Sequence, residues 1–203
     1  MVLTGRRAVV RRPVEILTLK ECESLIGVCS RRSPAGIRNA AIIVVLWRCG
    51  LRVSELTHLE VKDVDLDQHT ISVLHGKGDR QRVAVIDPRA TAVVQHWLTT
   101  RLKLKLRSRW VFCTFSKGHR GGPVSDRYIR AMLKRLAVRA DIEKRVHPHG
   151  FRHTHTVELV REGVPLNVVR KQLGHSTLAV THRYADHISS QDVVDALKDR
   201  EWG

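Results

Sequence analysis

The sequence predicts an α+β domain that is mainly helical and carries one small antiparallel sheet. Three observations predict it. Capped segments with helix-length apolar runs recur along most of the chain. A single stretch, residues 60–86, instead alternates apolar and polar side chains around Gly-Lys-Gly-Asp. Hydrophobic residues make up 42% of the 203, enough for one domain with its own core.

The elements follow in order from local signals. Thr18 opens "TLKECESLIGVC" with Glu21 three residues on, the reciprocal side-chain pair that caps a helix start. Residues 36–49, "GIRNAAIIVVLWRC", form an apolar run long enough for a buried helix, and Gly50 is placed to stop it. "VSELTHL" reads as a short following helix. The alternating stretch gives strands over roughly 60–65, 69–75 and 82–86, with Lys77 at the tip of the hairpin between the last two. Pro88 and about 15 further residues read as a helix. "RWVFCTF" is a short apolar segment, "SKGHRGGPVS" is a loop, and Ser125 caps a basic amphipathic helix to about 139. Further helices are expected over 150–162 ending at Gly163, 165–173 ending at Gly174, 177–185, and 191–200 behind Ser190.

Lys and Arg total 36 against 20 Asp and Glu, a formal net charge of +16. An excess that large implies a polyanionic partner, with nucleic acid ahead of a membrane surface. No apolar run reaches the roughly 18 residues of a transmembrane helix. The opening "MVLTGRRAVVRRPVE" is basic but lacks the apolar stretch of a secretory signal. Residues 1–15 therefore read as a basic tail, or as a linker that touches DNA backbone. The cysteines, Cys22, Cys29, Cys49 and Cys113, show no C-x-x-C spacing and are expected to be reduced thiols, in the core or at the surface, of a cytoplasmic protein.

Four clusters carry residues capable of chemistry, and each has a plainer reading. In "CGLRVSEL", Arg52 either pairs with Glu55 or Glu60 or aims a guanidinium fork at a phosphate. In "HGKGDRQRVAV", Lys77 between two glycines is either a solvated hairpin residue or a mobile general acid or phosphate contact. "HPHGFRHTH" holds His147, His149, His153 and His155 around Arg152. His149 and His153 have the i,i+4 spacing of metal ligands, but Gly150 stands where an H-E-x-x-H site has its Glu. Alternatively His149 and Arg152, at i,i+3, share one face at a helix N-terminus, which is a phosphate site with a proton carrier beside it. In "QLGHSTLAVTHRYADH", His175 is an interhelix residue or a phosphate contact, and Tyr184 is a packed aromatic or a nucleophile.

In this order the clusters resemble the tyrosine recombinase (phage integrase) family. The matching motifs are "GLRVSEL", "GKGDRQR" and "HPHGFRHTHTVELVREGVPLNVVRKQLGHSTLAVTHRYADH". Arg152 follows His149 in H-x-x-R, His175 comes 23 residues later in L-G-H, and Tyr184 nine after that. The resemblance covers roughly residues 14–200. It implies that Arg52 and Arg152 are the catalytic arginines, Lys77 the hairpin lysine, His149 and His175 the two further positions of the site, and Tyr184 the nucleophile. Glu55 would orient a neighbouring group. It also implies a catalytic domain over 16–203 without the usual amino-terminal DNA-clamping domain. The implied partners are double-stranded DNA and further copies of the chain in a synaptic tetramer. The implied location is the cytoplasm of a bacterial, archaeal or phage-infected cell, at the nucleoid. The amphipathic "SSQDVVDALKDR" is either a segment exchanged between copies or a helix packed on its own domain.

Chemistry supports that assignment. Covalent cleavage of a DNA phosphodiester needs a nucleophile, which the Tyr184 hydroxyl supplies. It needs donors for the charge of the phosphorane-like transition state, which Arg52 and Arg152 supply with His175 on a nonbridging oxygen. His149 is the expected proton acceptor for the phenol and Lys77 the donor to the 5′-oxygen. Neither metal nor ATP is required, because the arginines carry the charge and the phosphotyrosyl bond keeps the energy for rejoining. Three rivals remain: a non-catalytic DNA-binding regulator of the same fold, a metal-dependent phosphodiesterase built on the histidines, and a strand-relaxing enzyme of type IB topoisomerase character.

Overall fold

The structure, a computed structural model, describes residues 15–74, 81–115 and 118–174. The expected helices over 177–185 and 191–200, the hairpin tip with Lys77 and nearly all of the basic segment 1–15 lie outside them.

The central element is α2 (Pro34–Arg48), whose residues from Ala41 to Trp47 are all buried. A helix apolar all round belongs inside a core, and here α4 (Pro88–Lys103), α6 (Pro148–Arg161) and α1 (Leu19–Gly27) surround it. It begins two residues before the apolar run does. The Ser33 Oγ accepts the Gly36 N–H at 3.1 Å and Pro34 fills the first helical position, so the Ser-Pro pair sets the start. The cap of α1 forms as expected. The Glu21 carboxylate accepts the Thr18 N–H at 2.6 Å, and the Thr18 Oγ1 accepts the Glu21 N–H at 3.2 Å. Ser125 caps α5 (Asp126–Arg139) by accepting the Tyr128 N–H.

The sheet is smaller than its alternation pattern suggests. It has strands β1 (Val64–Asp65), β2 (Thr70–Val73) and β3 (Arg82–Val85), antiparallel in that order, with Val73 opposite Arg82. Residues 61–63 form a 3₁₀ turn instead of a strand, closed by the Glu60 N–H on the Asp63 carboxylate at 3.0 Å. Glu60 also bridges to Trp110, and Cys113 to Pro123, the two isolated bridges that "RWVFCTF" makes among the described residues. His69, at φ 54, ends the turn before β2, so that strand starts at Thr70.

All four cysteines are free and buried, so the core alternative holds and the surface one does not. Burial pushes the thiols of Cys22 and Cys49 far above their ordinary range, and that of Cys29 up to about 11. Among the described residues no helix is long and apolar enough to cross a membrane.

Two further elements position the site. The short α3 (Val53–Thr57) follows α2 across a sharp turn, and α7 (Leu166–Leu173) follows α6 and packs on β3. Gln172 fastens that contact: its amide donates to the Val85 carbonyl at 2.8 Å and accepts the Val85 N–H at 2.9 Å. The side chain thus completes the outer edge of β3 as a neighbouring strand would.

Candidate active site

The turn that delivers Arg52 depends on Gly50. After the Cys49 cap of α2 the chain enters the left-handed region at Gly50, φ +60, and Arg52 becomes the N-cap residue of α3. Its backbone N–H donates to Glu55 Oε2 at 2.7 Å and its Nη1 to Oε1 at 2.8 Å. Of the two carboxylates the spacing offered, Glu55 is therefore the partner; Glu60 meets Lys62 and Arg109 instead. The Arg52 side chain keeps about 30% of its surface exposed.

Glu55 itself is buried, and Arg82 closes on it with a two-pronged ion pair, Nη1 to Oε1 at 2.8 Å and Nη2 to Oε2 at 2.7 Å. Burial opposes the carboxylate charge. The Arg82 fork, with help from Arg52, outweighs it and holds the Glu55 carboxyl below the usual range.

Helix α6 supplies the second pair. It starts at Pro148 rather than 150, because His147 acts as its cap: the Nδ1 accepts the Gly150 N–H at 3.2 Å. That leaves His149 exposed in the first turn and puts Arg152 one turn along on the same face, as the i,i+3 spacing anticipates. Desolvation first, then the charges of Arg152, His147 and Arg52, lower the His149 pKa. That direction favours the neutral imidazole, the form that accepts a proton. Arg152 is only 2% exposed and donates to the carbonyls of Gly50 and Leu173, both at 2.6 Å.

The C-terminal end of α7 gathers these arginines. Three consecutive carbonyls each accept from a different one: Gln172 from Arg82 Nε at 3.1 Å, Leu173 from Arg152 Nη2 at 2.6 Å, and Gly174 from Arg52 Nη2 at 3.4 Å. The last carbonyls of a helix lack partners within it and sit at the negative end of its dipole, so they attract cations. Gly174 ends α7 in the left-handed conformation, and His175 is the next residue in the chain.

Of the six residues singled out in the sequence, Arg52, His149 and Arg152 come together here. Lys77, His175 and Tyr184 lie outside the described residues. His153 turns its ring edge against His149, centroids 4.1 Å apart. Among the described residues no group of three or more His, Cys, Asp or Glu side chains is placed to hold a metal ion, so the i,i+4 pair finds no third ligand there. His155 is buried against the Gly50 turn. The other tyrosine, Tyr128, is committed to packing: its hydroxyl accepts from Arg38 and donates to Asn39 Oδ1 at 3.1 Å.

Sequence reasoning missed Arg82 and Gln172. Arg80 and Arg82 alternate with Gln81 in one basic strand start, and nothing local says which of them turns inward.

The model of the phage integrase family matches residues 15–191. The tyrosine recombinase XerC of Bacillus pumilus (strain SAFR-032) is 36% identical over 189 residues, covering 90% of this chain and 60% of that protein. The tyrosine recombinase XerD of Halalkalibacterium halodurans is 33% identical over 188 residues, 91% of this chain and 61% of that protein. The crystal structure of XerA recombinase superposes with a TM-score of 0.78 at 28% identity, over 93% of this chain and 66% of that one. The catalytic domain of bacteriophage HP1 integrase shares the fold, with a TM-score of 0.59 at 22% identity over 93% of this chain and 96% of that one. The chain spans about three fifths of the length of the curated relatives it matches.

Proposed function

The chain belongs to the phage integrase family, and from that premise we propose that residues 16–203 are the catalytic domain of a site-specific DNA recombinase. It cuts and rejoins double-stranded DNA through a covalent 3′-phosphotyrosyl link at Tyr184. The single observation that carries the reading is the gathering of Arg52 and Arg152 at the end of α7, directly before His175, with His149 one turn from Arg152 on α6. Two guanidinium groups and an imidazole, drawn from the cap of α3 and the first turns of α6, suit a phosphodiester better than any neutral substrate.

The steps follow from the groups. The Tyr184 oxygen attacks the scissile phosphorus while its proton passes to the neutral His149. The bond to the 5′-oxygen breaks, and Lys77 protonates that oxygen as it leaves. Arg52, Arg152 and His175 hold the nonbridging oxygens as their charge rises. Rejoining reverses each transfer, with a 5′-hydroxyl as nucleophile and Tyr184 as leaving group. The bond energy stays in the phosphotyrosine, so the scheme draws on neither ATP nor a metal ion. Tyr128 supports the choice of phenol, because its hydroxyl is already engaged by Arg38 and Asn39. Exchange between two duplexes requires four copies of the chain in a synapse, working where DNA is accessible in the cytoplasm.

The test is a nicked suicide duplex that traps the covalent product, built on the chain's own recombination site identified in DNA flanking its coding region. Wild type and Tyr128→Phe protein are expected to give the protein–DNA adduct, and Tyr184→Phe none. An adduct from Tyr184→Phe, or none from wild type, overturns the proposal.

A further inference from the structure

We infer that Arg82 is a positioning residue that keeps Glu55 from capturing Arg52. The inference rests on the catalytic reading of Arg52 above. The Arg82 side chain is 8% exposed and takes both oxygens of Glu55 in one fork. Its Nε is tied to the Gln172 carbonyl, and its Cδ lies so close under Gly174 that a Cβ there would approach to 2.7 Å. Arg82 is therefore fixed at both ends, by the sheet strand that bears it and by the end of α7.

The consequence falls on Arg52. A carboxylate prefers to receive a guanidinium by two parallel bonds. With that geometry occupied by Arg82, Arg52 reaches Glu55 through one side-chain nitrogen, Nη1, on an oxygen already shared, and extends Nη2 toward Gly174 at 3.4 Å. Remove the Arg82 fork and the buried charge of Glu55, 1% exposed, has lost its main counter-ion. The nearest replacement is the fork of Arg52 itself. Arg52 would then be held in a closed pair and withdrawn from phosphate. Arg82 thus shapes the site without touching substrate.

The experiment compares wild type, Arg82→Gln, and the double variant Arg82→Gln/Glu55→Gln. It measures single-turnover adduct formation on the suicide duplex, DNA affinity, thermal midpoint, and the mobility of the Arg52 guanidinium by side-chain nitrogen NMR without DNA. Arg82→Gln is expected to form adduct about tenfold or more slowly, with DNA affinity within roughly threefold of wild type, and to immobilise Arg52. The double variant is expected to regain speed over the single one, because the charge that captures Arg52 is gone. A merely structural role predicts the reverse, since two broken contacts are worse than one. An Arg82→Gln rate equal to wild type, an affinity loss as large as the rate loss, a double variant no faster than the single, or unchanged Arg52 mobility each overturns the inference. If Arg82→Gln does not fold, Arg82→Lys, which can make one of the two bonds, takes its place with the same expected rescue by Glu55→Gln. The NMR arm separates the two failures: immobilised Arg52 in a protein whose wild type forms no adduct refutes the recombinase reading and not the capture.

Discussion

Substituting Gly50 with alanine tests the geometry of the turn and of Arg152 together. Gly50 sits at φ +60, where a residue with a Cβ pays about 1–2 kcal/mol. The added carbon would also lie 2.5 Å from Leu173 Cδ2 and 2.9 Å from His155 Cδ2, both in buried, well-packed side chains. Overpacking of that kind costs about 1–3 kcal/mol more. Gly50→Ala should therefore destabilise the domain by about 2–5 kcal/mol, read by equilibrium urea unfolding, and lower Tm by on the order of 5–15 °C for a chain of this length. Gly163→Ala is the internal control. Gly163 has φ +75 but, beyond its chain neighbours, no atom of the described residues within 4 Å of its would-be Cβ, so it should lose only the conformational part, about 1–2 kcal/mol. The difference between the two isolates the contact with Leu173 and His155. A loss below about 1 kcal/mol for Gly50→Ala, or equal losses at the two sites, would refute the reasoning.

Two other outcomes are expected. His155 is buried, neither ring nitrogen has a hydrogen-bond partner among the described residues, and burial first, then Arg48 and Arg152, lower its pKa to about 3, with Asp87 opposing. As pH falls below the unfolded value near 6.5, the unfolded chain takes up this proton and the folded one does not, so stability declines by about 1.4 kcal/mol per unit until about pH 3. Between pH 7 and 5 the stability of wild type relative to His155→Phe should shift by about 2 kcal/mol in favour of the variant, and a gap independent of pH would contradict the assignment. The four thiols, buried and with Cys22, Cys29 and Cys49 raised in pKa, should resist Ellman's reagent at pH 8 in the folded protein and react fully in denaturant; rapid labelling of Cys22 or Cys49 in the native state would contradict their burial.

What the sequence made legible was what local chemistry determines. The Thr18–Glu21 cap, the Ser125 cap, the stop at Gly50 and the pairing of β2 with β3 are decided within a few residues of themselves, and they appear where the pattern puts them. The start of α2 was misplaced because hydrophobicity marks burial, whereas Ser33 and Pro34 mark the end of the hydrogen-bond ladder. The strand expected over 60–65 shortened because the Asp63 carboxylate can close a turn on the Glu60 N–H, an option that alternation does not register. Helix α6 was harder still. Its buried face mixes Phe151 and Val157 with Arg152, Thr154, His155 and Thr156, so apolar spacing marks it only weakly. Thr154 faces inward to accept the Leu17 N–H, a partner 137 residues away.

The same distance separates the site from its own sequence, and α7 explains how the fold closes the gap. Arg52, Arg82 and Arg152 stand on α3, β3 and α6, and Arg52 reaches a carbonyl 122 positions further along the chain. No spacing rule relates them. What they share is a need that any helix end creates: residues 172, 173 and 174 bring carbonyls that α7 cannot satisfy itself. Arg82 and Arg152, both buried, are ordered by this helix end at 3.1 and 2.6 Å, whereas Arg52, more exposed, touches it only at 3.4 Å. The L-G-H motif then acquires a structural meaning beside its chemical one. Leu173 and the left-handed Gly174 hold out the carbonyls that two of the arginines meet, directly before the histidine proposed to contact phosphate. Docking of α7 on β3 through Gln172 therefore sets which carbonyl each arginine meets, since sliding that helix by one residue would offer all three the wrong one.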